Sequence, residues 1–154
     1  SSQIKSFLEN RASSTNSASV ILTPHPKEFS VLLGNCGIGK YSTTDVCANA
    51  FELSKKFCEQ FPMATLLLKG AVVLIATTEN EGVRVYVNPH GSNALSKGGS
   101  GDVLSGLAVA LLAQGWSAKE SALNASLAHS FASRLAPCDY ALTPLELIEY
   151  VAKL

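Results

Sequence analysis

Apolar positions along this chain follow two spacings, and the changes between them mark out its elements. Over 19–23 and 65–68 they run together, as in short strands buried on both faces. Over 44–61 they fall three to four apart at Val46, Ala50, Leu53 and Phe57, which predicts a helix that Thr43 can cap and Pro62 ends. Residues 72–76 and 83–87 read as paired strands joined by a polar link over 77–82 that closes on glycine.

The other segments are set by punctuation. Residues 4–8 suggest a remnant of helix, and the rest of 1–19 is Ser-rich and reads as loop. Pro24-His25-Pro26 stops the first strand, because proline removes donors and restricts its predecessor. A short helix over 28–33 follows, ended by Gly34, with Glu28 in its first turn. A loop over 88–101 carries four glycines. A strongly apolar helix over 102–114 comes next and stops at Gly115, after which Trp116 is expected to pack at the helix end. Ser117-x-x-Glu120 opens a helix through about Leu135, in which His129 reads as a core histidine. Thr143-Pro144-Leu145-Glu146 opens another. Strands alternating with helices predict a three-layer α/β/α sheet.

Composition narrows the class. The 154 residues are 47% apolar and 16% charged, which excludes a disordered or collagen-like chain. Twelve basic residues balance twelve acidic ones, with no basic block to track a phosphodiester backbone, so a nucleic-acid partner is not expected. The longest apolar stretches, 66–76 and 103–113, are too short for a bilayer, and the first is broken by Lys69 and Gly70; no membrane partner is expected. The four cysteines form no C-x-x-C pair, so zinc and redox sites are not expected. Cys47 and Cys58 are read as small buried thiols on one side of the 44–61 helix, in a reducing cytosol.

The 88–101 loop carries the candidate chemistry. Gly98, Gly99 and Gly101 let backbone approach a ligand closely. The apolar helix behind them is expected to be buried, so its first amides need partners, and a phosphate suits both the amides and the dipole. Asp102 would repel that anion. Either it accepts a proton from a hydroxyl as a phosphoryl group lands there, or it stabilises a helix N-terminus. From the motif alone both readings stand. The loop is neither a Walker A motif, since no Lys-Ser/Thr follows, nor a Rossmann fingerprint. His25 is either held on a rigid loop for a ligand or is a turn histidine. Lys69, at a strand end, either offsets phosphate charge or snorkels into solvent.

Gly98-Gly99-Ser100-Gly101-Asp102-Val103-Leu104-Ser105-Gly106, with Leu-Leu-Ala-Gln-Gly after it, resembles the ribokinase-like superfamily. Within that superfamily the chain is most similar to the ADP/ATP-dependent NAD(P)H-hydrate dehydratases. Leu22-Thr-Pro-His-Pro-Lys-Glu-Phe29 resembles their T-P-H-P-G-E, Leu68-Lys-Gly-Ala71 their L-K-G-A, and Asn88-Pro-His-Gly91 their N-x-T-G. The resemblance implies a ribokinase-like fold and repair of hydrated NADH and NADPH (NADHX, NADPHX), with ADP or ATP as phosphoryl donor and Mg²⁺ as cofactor. It makes Asp102 the catalytic residue facing the C6 hydroxyl and sets His25 against the dinucleotide. It assigns Lys69, Gly70, Ala71, Val72, Val73, Gly98, Gly99, Ser100 and Gly101 to the nucleotide, with no protein metal ligand, and it implies a cytoplasmic homo-oligomer. Three departures stand out: Lys27 replaces a glycine, Val73 a common threonine, and Ser92 and Ala94 an asparagine and a glycine. The family's domain is about twice this length. Residues 1–154 are therefore expected to be one ribokinase-like domain lacking its N-terminal part, with an unpaired sheet edge. Two alternatives remain open: a vitamin-precursor or sugar kinase of the same superfamily, and a non-catalytic nucleotide-binding fragment.

Overall fold

A computed structural model describes residues 2–12 and 20–154. The loop read over 13–19 lies outside the described residues. The chain forms two compact units, one of Ser1–Gly70 with Leu74–Val87, the other of Ala71–Val73 with Asn88–Leu154. The α/β class expected from the sequence is the one found.

The first unit is built on a four-stranded sheet in the order β1-β2-β3-β4. β1 (Val20–Leu22) pairs parallel with β2 (Ala64–Leu68), with Ile21 opposite Thr65; β2 pairs antiparallel with β3 (Val73–Glu79), with Leu67 opposite Ile75. All five residues of β2 are buried, which is why its apolar run does not alternate. β3 and β4 (Gly82–Asn88) are longer than expected, so the link is only Asn80-Glu81, and Gly82 takes φ +114°. Arg84 pairs with Glu79 at 3.3 Å and Glu81 at 2.8 Å across that turn.

Helices α1 (Ser2–Ala12), α2 (Pro26–Asn35), α3 (Thr43–Ala48) and α4 (Ala50–Gln60) complete this unit. Phe29, Phe57 and Phe61 form the aromatic centre of its core, with ring centroids 5.8 Å and 5.1 Å apart. Several sequence expectations need correction here. The first helix covers Ser2–Ala12, not 4–8 alone, so Arg11 and Ala12 are helical, not loop. α2 begins at Pro26 and runs through Gly34; Gly37, at φ +76°, is the first left-handed residue after it. The helix read over 44–61 is two. Asn49 ends α3 at φ −118°, its amide and its side chain both donating to the Asp45 carbonyl at 3.0 Å. Ser42, not Thr43, caps α3 by accepting from the Asp45 amide at 3.1 Å. Because the helix breaks, Cys47 does not share a face with Cys58: Cys47 is exposed, and Cys58 is buried. Desolvation pushes the Cys58 thiol up to about 12.

The second unit is mainly helical: α5 (Ser100–Ala113), α6 (Ala118–Ser133) and α7 (Pro144–Val151), with a single 3-10 turn at Asn93–Leu95. α6 and α7 open on the expected capping boxes, Ser117 with Glu120 and Thr143 with Glu146. α5 ends in a Schellman motif, where Gly115 at φ +92° lets Trp116 N–H reach the Leu111 carbonyl at 3.2 Å. That turn leaves Trp116 44% exposed, so it does not pack as expected. The burial of α5 also differs. Val103, Leu104 and Ala108 are buried, but Val109 is 62% exposed, because the helix packs along one face only. Among the described residues no helix is long and apolar enough to cross a membrane.

Candidate active site

In the first unit the parallel pair places two candidate residues together. His25 follows β1 and Lys69 follows β2, at the carboxyl ends where open α/β sheets collect ligands. The Lys69 amide donates to the Pro24 carbonyl at 2.9 Å, tying the two strand ends. His25 is the N-cap of α2: its Nδ1 accepts from the Glu28 amide at 3.2 Å, and its own amide donates to Glu28 Oε2 at 2.7 Å. With Nδ1 an acceptor, the neutral ring carries its hydrogen on Nε2. Glu28 is the residue that sequence reasoning undervalued. Its carboxylate lies 3.4 Å from His25 Nε2 and 3.8 Å from Lys69 Nζ, and so joins both. The signal was its place three residues after a residue that caps like Ser or Asp, a role seldom expected of histidine. A cavity of about 580 Å³ opens beside this group, lined by His25, Lys27, Glu28 and Asn35 with Val31, Leu32 and Ile4. Lys27, the departure from glycine, thus adds a cation at the cavity wall.

In the second unit the 88–101 loop is held from beneath. Gly99 is the N-cap of α5 at φ +89°, and a Cβ there would lie 2.7 Å from Pro144 Cγ, so only glycine fits. Gly91 lies against residue 71, where a Cβ would come within 2.2 Å of the Ala71 carbonyl oxygen. Val72 in the same segment is exposed. The Ser100 hydroxyl is committed to the loop's own carbonyls, Leu95 at 2.6 Å and Lys97 at 3.1 Å. Lys97 Nζ donates to the carbonyls of Tyr140 and Leu142. His129 is buried, as expected of a core histidine, but its Nε2 also meets the Ser100 carbonyl at 2.8 Å.

The backbone of this loop is otherwise open. The Ser100 and Asp102 amides turn inward to the carbonyls of Lys97 and Gly99. Among the described residues the amides of Gly98, Gly99 and Gly101 have no such partner, and the space above Gly98 is empty to 4 Å. Three amides without a carbonyl partner at the start of a 14-residue helix are donors of the kind that bind anions. Asp102, exposed on the first turn, lines a mostly apolar cavity of about 520 Å³ with Gly99, Gly106, Leu107, Pro144 and Ile148. A carboxylate beside open backbone amides and an apolar wall has the chemistry to accept a proton from a hydroxyl.

Residues 3–153 match the family model for NAD(P)H-hydrate dehydratase. The chain belongs to the NAD(P)H-hydrate dehydratase family. It is 48% identical over 135 residues to the bifunctional NAD(P)H-hydrate repair enzyme Nnr of Helicobacter pylori, a match covering 88% of this chain and 28% of that protein. It is 36% identical over 125 residues to the ADP-dependent (S)-NAD(P)H-hydrate dehydratase of Neisseria meningitidis, covering 81% of this chain and 39% of that one. The crystal structure of the ADP/ATP-dependent NAD(P)H-hydrate dehydratase of Bacillus subtilis, co-crystallized with ATP/Mg²⁺, matches with TM-score 0.73 and 30% identity over 88% of this chain and 46% of that one. The chain thus spans less than half the length of each of these family members.

Proposed function

We propose that this chain carries the phosphoryl-transfer centre of an ADP- or ATP-dependent dehydratase that restores hydrated NADH and NADPH. The observation that carries the reading is the position of Asp102, one residue beyond an amide that is free to meet a phosphate. The amides of Gly98, Gly99 and Gly101, with the dipole of α5, hold the phosphate being transferred. Asp102 takes the proton of the C6 hydroxyl as its oxygen attacks that phosphorus and the P–O bond to the nucleotide breaks. The new phosphate ester then leaves C6 with the C–O electron pair, and loss of a proton from the adjacent ring carbon restores the double bond. His25 and Lys69, both held beside the Glu28 carboxylate, serve the ligands that reach the strand ends.

No cluster of three His, Cys, Asp or Glu side chains able to hold a metal occurs among the described residues. Mg²⁺ would arrive on the nucleotide's phosphates, as is usual for this ion. The two units are read as parts of one ribokinase-like domain, in a cytoplasmic homo-oligomer. Free thiols at Cys36, Cys47, Cys58 and Cys138 suit a reducing compartment.

The test uses the full-length protein with hydrated NADH, ADP or ATP, and Mg²⁺. Recovery of NADH absorbance is expected, and Asp102→Ala is expected to lower kcat by about 10²–10⁴ while the fold is kept. Wild-type turnover by that variant removes Asp102 from the chemistry. A stable phosphorylated alcohol in place of NADH would make the protein a kinase.

A further inference from the structure

The peptide that carries the Gly101 N–H lies in the first turn of α5, which begins at Ser100. Gly99 and Gly101 flank Ser100 and carry no side chain. The helix sets the direction of that amide, and contacts that hold the first turn set where it points from. In a trans peptide the C=O and N–H of one plane point in opposite directions. Whatever holds the Ser100 carbonyl also places the Gly101 N–H.

The Ser100 carbonyl is held by His129 on α6, whose Nε2 lies 2.8 Å away. A carbonyl only accepts, so Nε2 is the donor. A hydrogen bond on the carbonyl also polarises its peptide and strengthens the N–H as a donor. The other end of the loop is gripped by the same helix face. Asn88 Nδ2 reaches Ser126 Oγ at 2.8 Å and Ser130 Oγ at 3.1 Å, and Asn88 Oδ1 accepts from the His90 amide at 3.0 Å. Residues 126, 129 and 130 share one side of a helix by their spacing. All three are buried, as is Asn88, so the grip is built into the core and does not compete with water.

We propose that His129 is the positioning residue of the nucleotide site: by holding the Ser100 carbonyl it places the Gly101 amide to meet a phosphate oxygen of the phosphoryl donor. This rests on residues 98–101 being the phosphate site. His129 touches neither substrate, and its effect falls on the nucleotide alone.

The experiment compares His129→Met, which fills the space without a donor, with His129→Gln, whose Nε2 can donate from a similar place, in the full-length protein. His129→Met is expected to raise KM for the nucleotide about tenfold, the worth of a hydrogen bond to a charged group. KM for the hydrated dinucleotide should stay within about twofold, and His129→Gln should recover most of the loss. An unchanged nucleotide KM, an equal rise in both KM values, or no recovery with glutamine overturns the proposal. If the wild-type protein shows no turnover, the dehydratase reading has failed on its own. Calorimetric affinities for Mg·ADP and Mg·ATP then replace KM, and the same ordering of variants upholds the clamp while its absence overturns it. If His129→Met does not fold, the Gly101 amide resonance of the wild-type protein decides. A shift on saturation with Mg·ATP upholds the proposal, and no shift overturns it.

Discussion

At the strand ends of the first unit, His25, Glu28 and Lys69 present their own polar atoms, with Glu28 linking the other two at 3.4 Å and 3.8 Å. Around residues 98–102 in the second unit most polar side chains are turned back onto the protein. Ser100, Lys97, Asn88 and His129 all bond to the loop or to its supports, while the amides of Gly98, Gly99 and Gly101 have no carbonyl partner and Asp102 is exposed. On the proposed function the first arrangement would discriminate by charge and hydrogen-bond pattern, and the second would fix geometry with little cost in reorganisation, as phosphoryl transfer requires. A side-chain site is altered by losing an atom. A backbone site is altered by adding one.

Gly99 gives the largest break. Gly99→Val puts a branched side chain at φ +89° and drives its Cβ into Pro144, 2.7 Å away. The left-handed strain alone costs about 1–3 kcal/mol, and the helix start must shift. Thermal unfolding is expected to fall by several degrees, and nucleotide affinity by more than tenfold. Gly98→Ala sharpens the contrast, since its Cβ meets nothing within 4 Å. Its stability should stay within about 0.5 kcal/mol of wild type while affinity still drops, because the methyl enters the space above the free amides. Equal affinity in Gly98→Ala and wild type would place the phosphate elsewhere.

Glu28→Gln comes next. The amide keeps the shape and can still accept from the His25 backbone, but it removes the charge that links Lys69 and His25. KM for the hydrated dinucleotide is expected to rise several-fold with little change in melting temperature. An unfolding defect with unchanged KM would make Glu28 a helix cap alone.

Much of this was legible in the chain. The glycine loop, the two later capping boxes and the stop at Gly115 follow from local rules, since each depends on residues within about five positions. What was missed depends on residues far apart in sequence or on unusual caps. The split of the 44–61 helix turns on Asn49 folding back onto Asp45, while the apolar spacing continues across the break. His25 as an N-cap looks like a turn histidine until Glu28 is seen to answer it. His129 reads as core because it is core; the partner that gives it a further role lies 29 residues away. The exposed side of α5 was unreadable because an apolar composition does not tell which face is covered.

His129 also allows a pH test of the backbone site. Burial holds its imidazole below the ordinary 6.5, against the Ser100 hydrogen bond, which raises it. The unfolded chain therefore takes up this proton first as pH falls. Stability contributed by neutral His129 is full above about 6.5 and is lost below it, toward the lowered value of the folded state. His129→Gln should flatten that part of the stability–pH curve by denaturant unfolding. The same slope in both proteins would mean that another group carries it.

The smallest effect on stability is expected in the first unit, where the comparison is most exposed to error. Lys69 and Glu28 lie 3.8 Å apart, with side chains 25% and 54% accessible. Water and salt screen such a pair, so its contribution is about 0–1 kcal/mol. Lys69→Met should leave the melting temperature within a degree or two while weakening nucleotide binding and flattening its dependence on salt, because one charge is gone from the interaction. If Lys69→Met destabilises the fold as strongly as Gly99→Val, the lysine is a structural pin tying the ends of β1 and β2, a task its backbone already performs by donating to the Pro24 carbonyl. The first unit would then hold its ligand by the same device as the second, with backbone as the contact and side chains as the support.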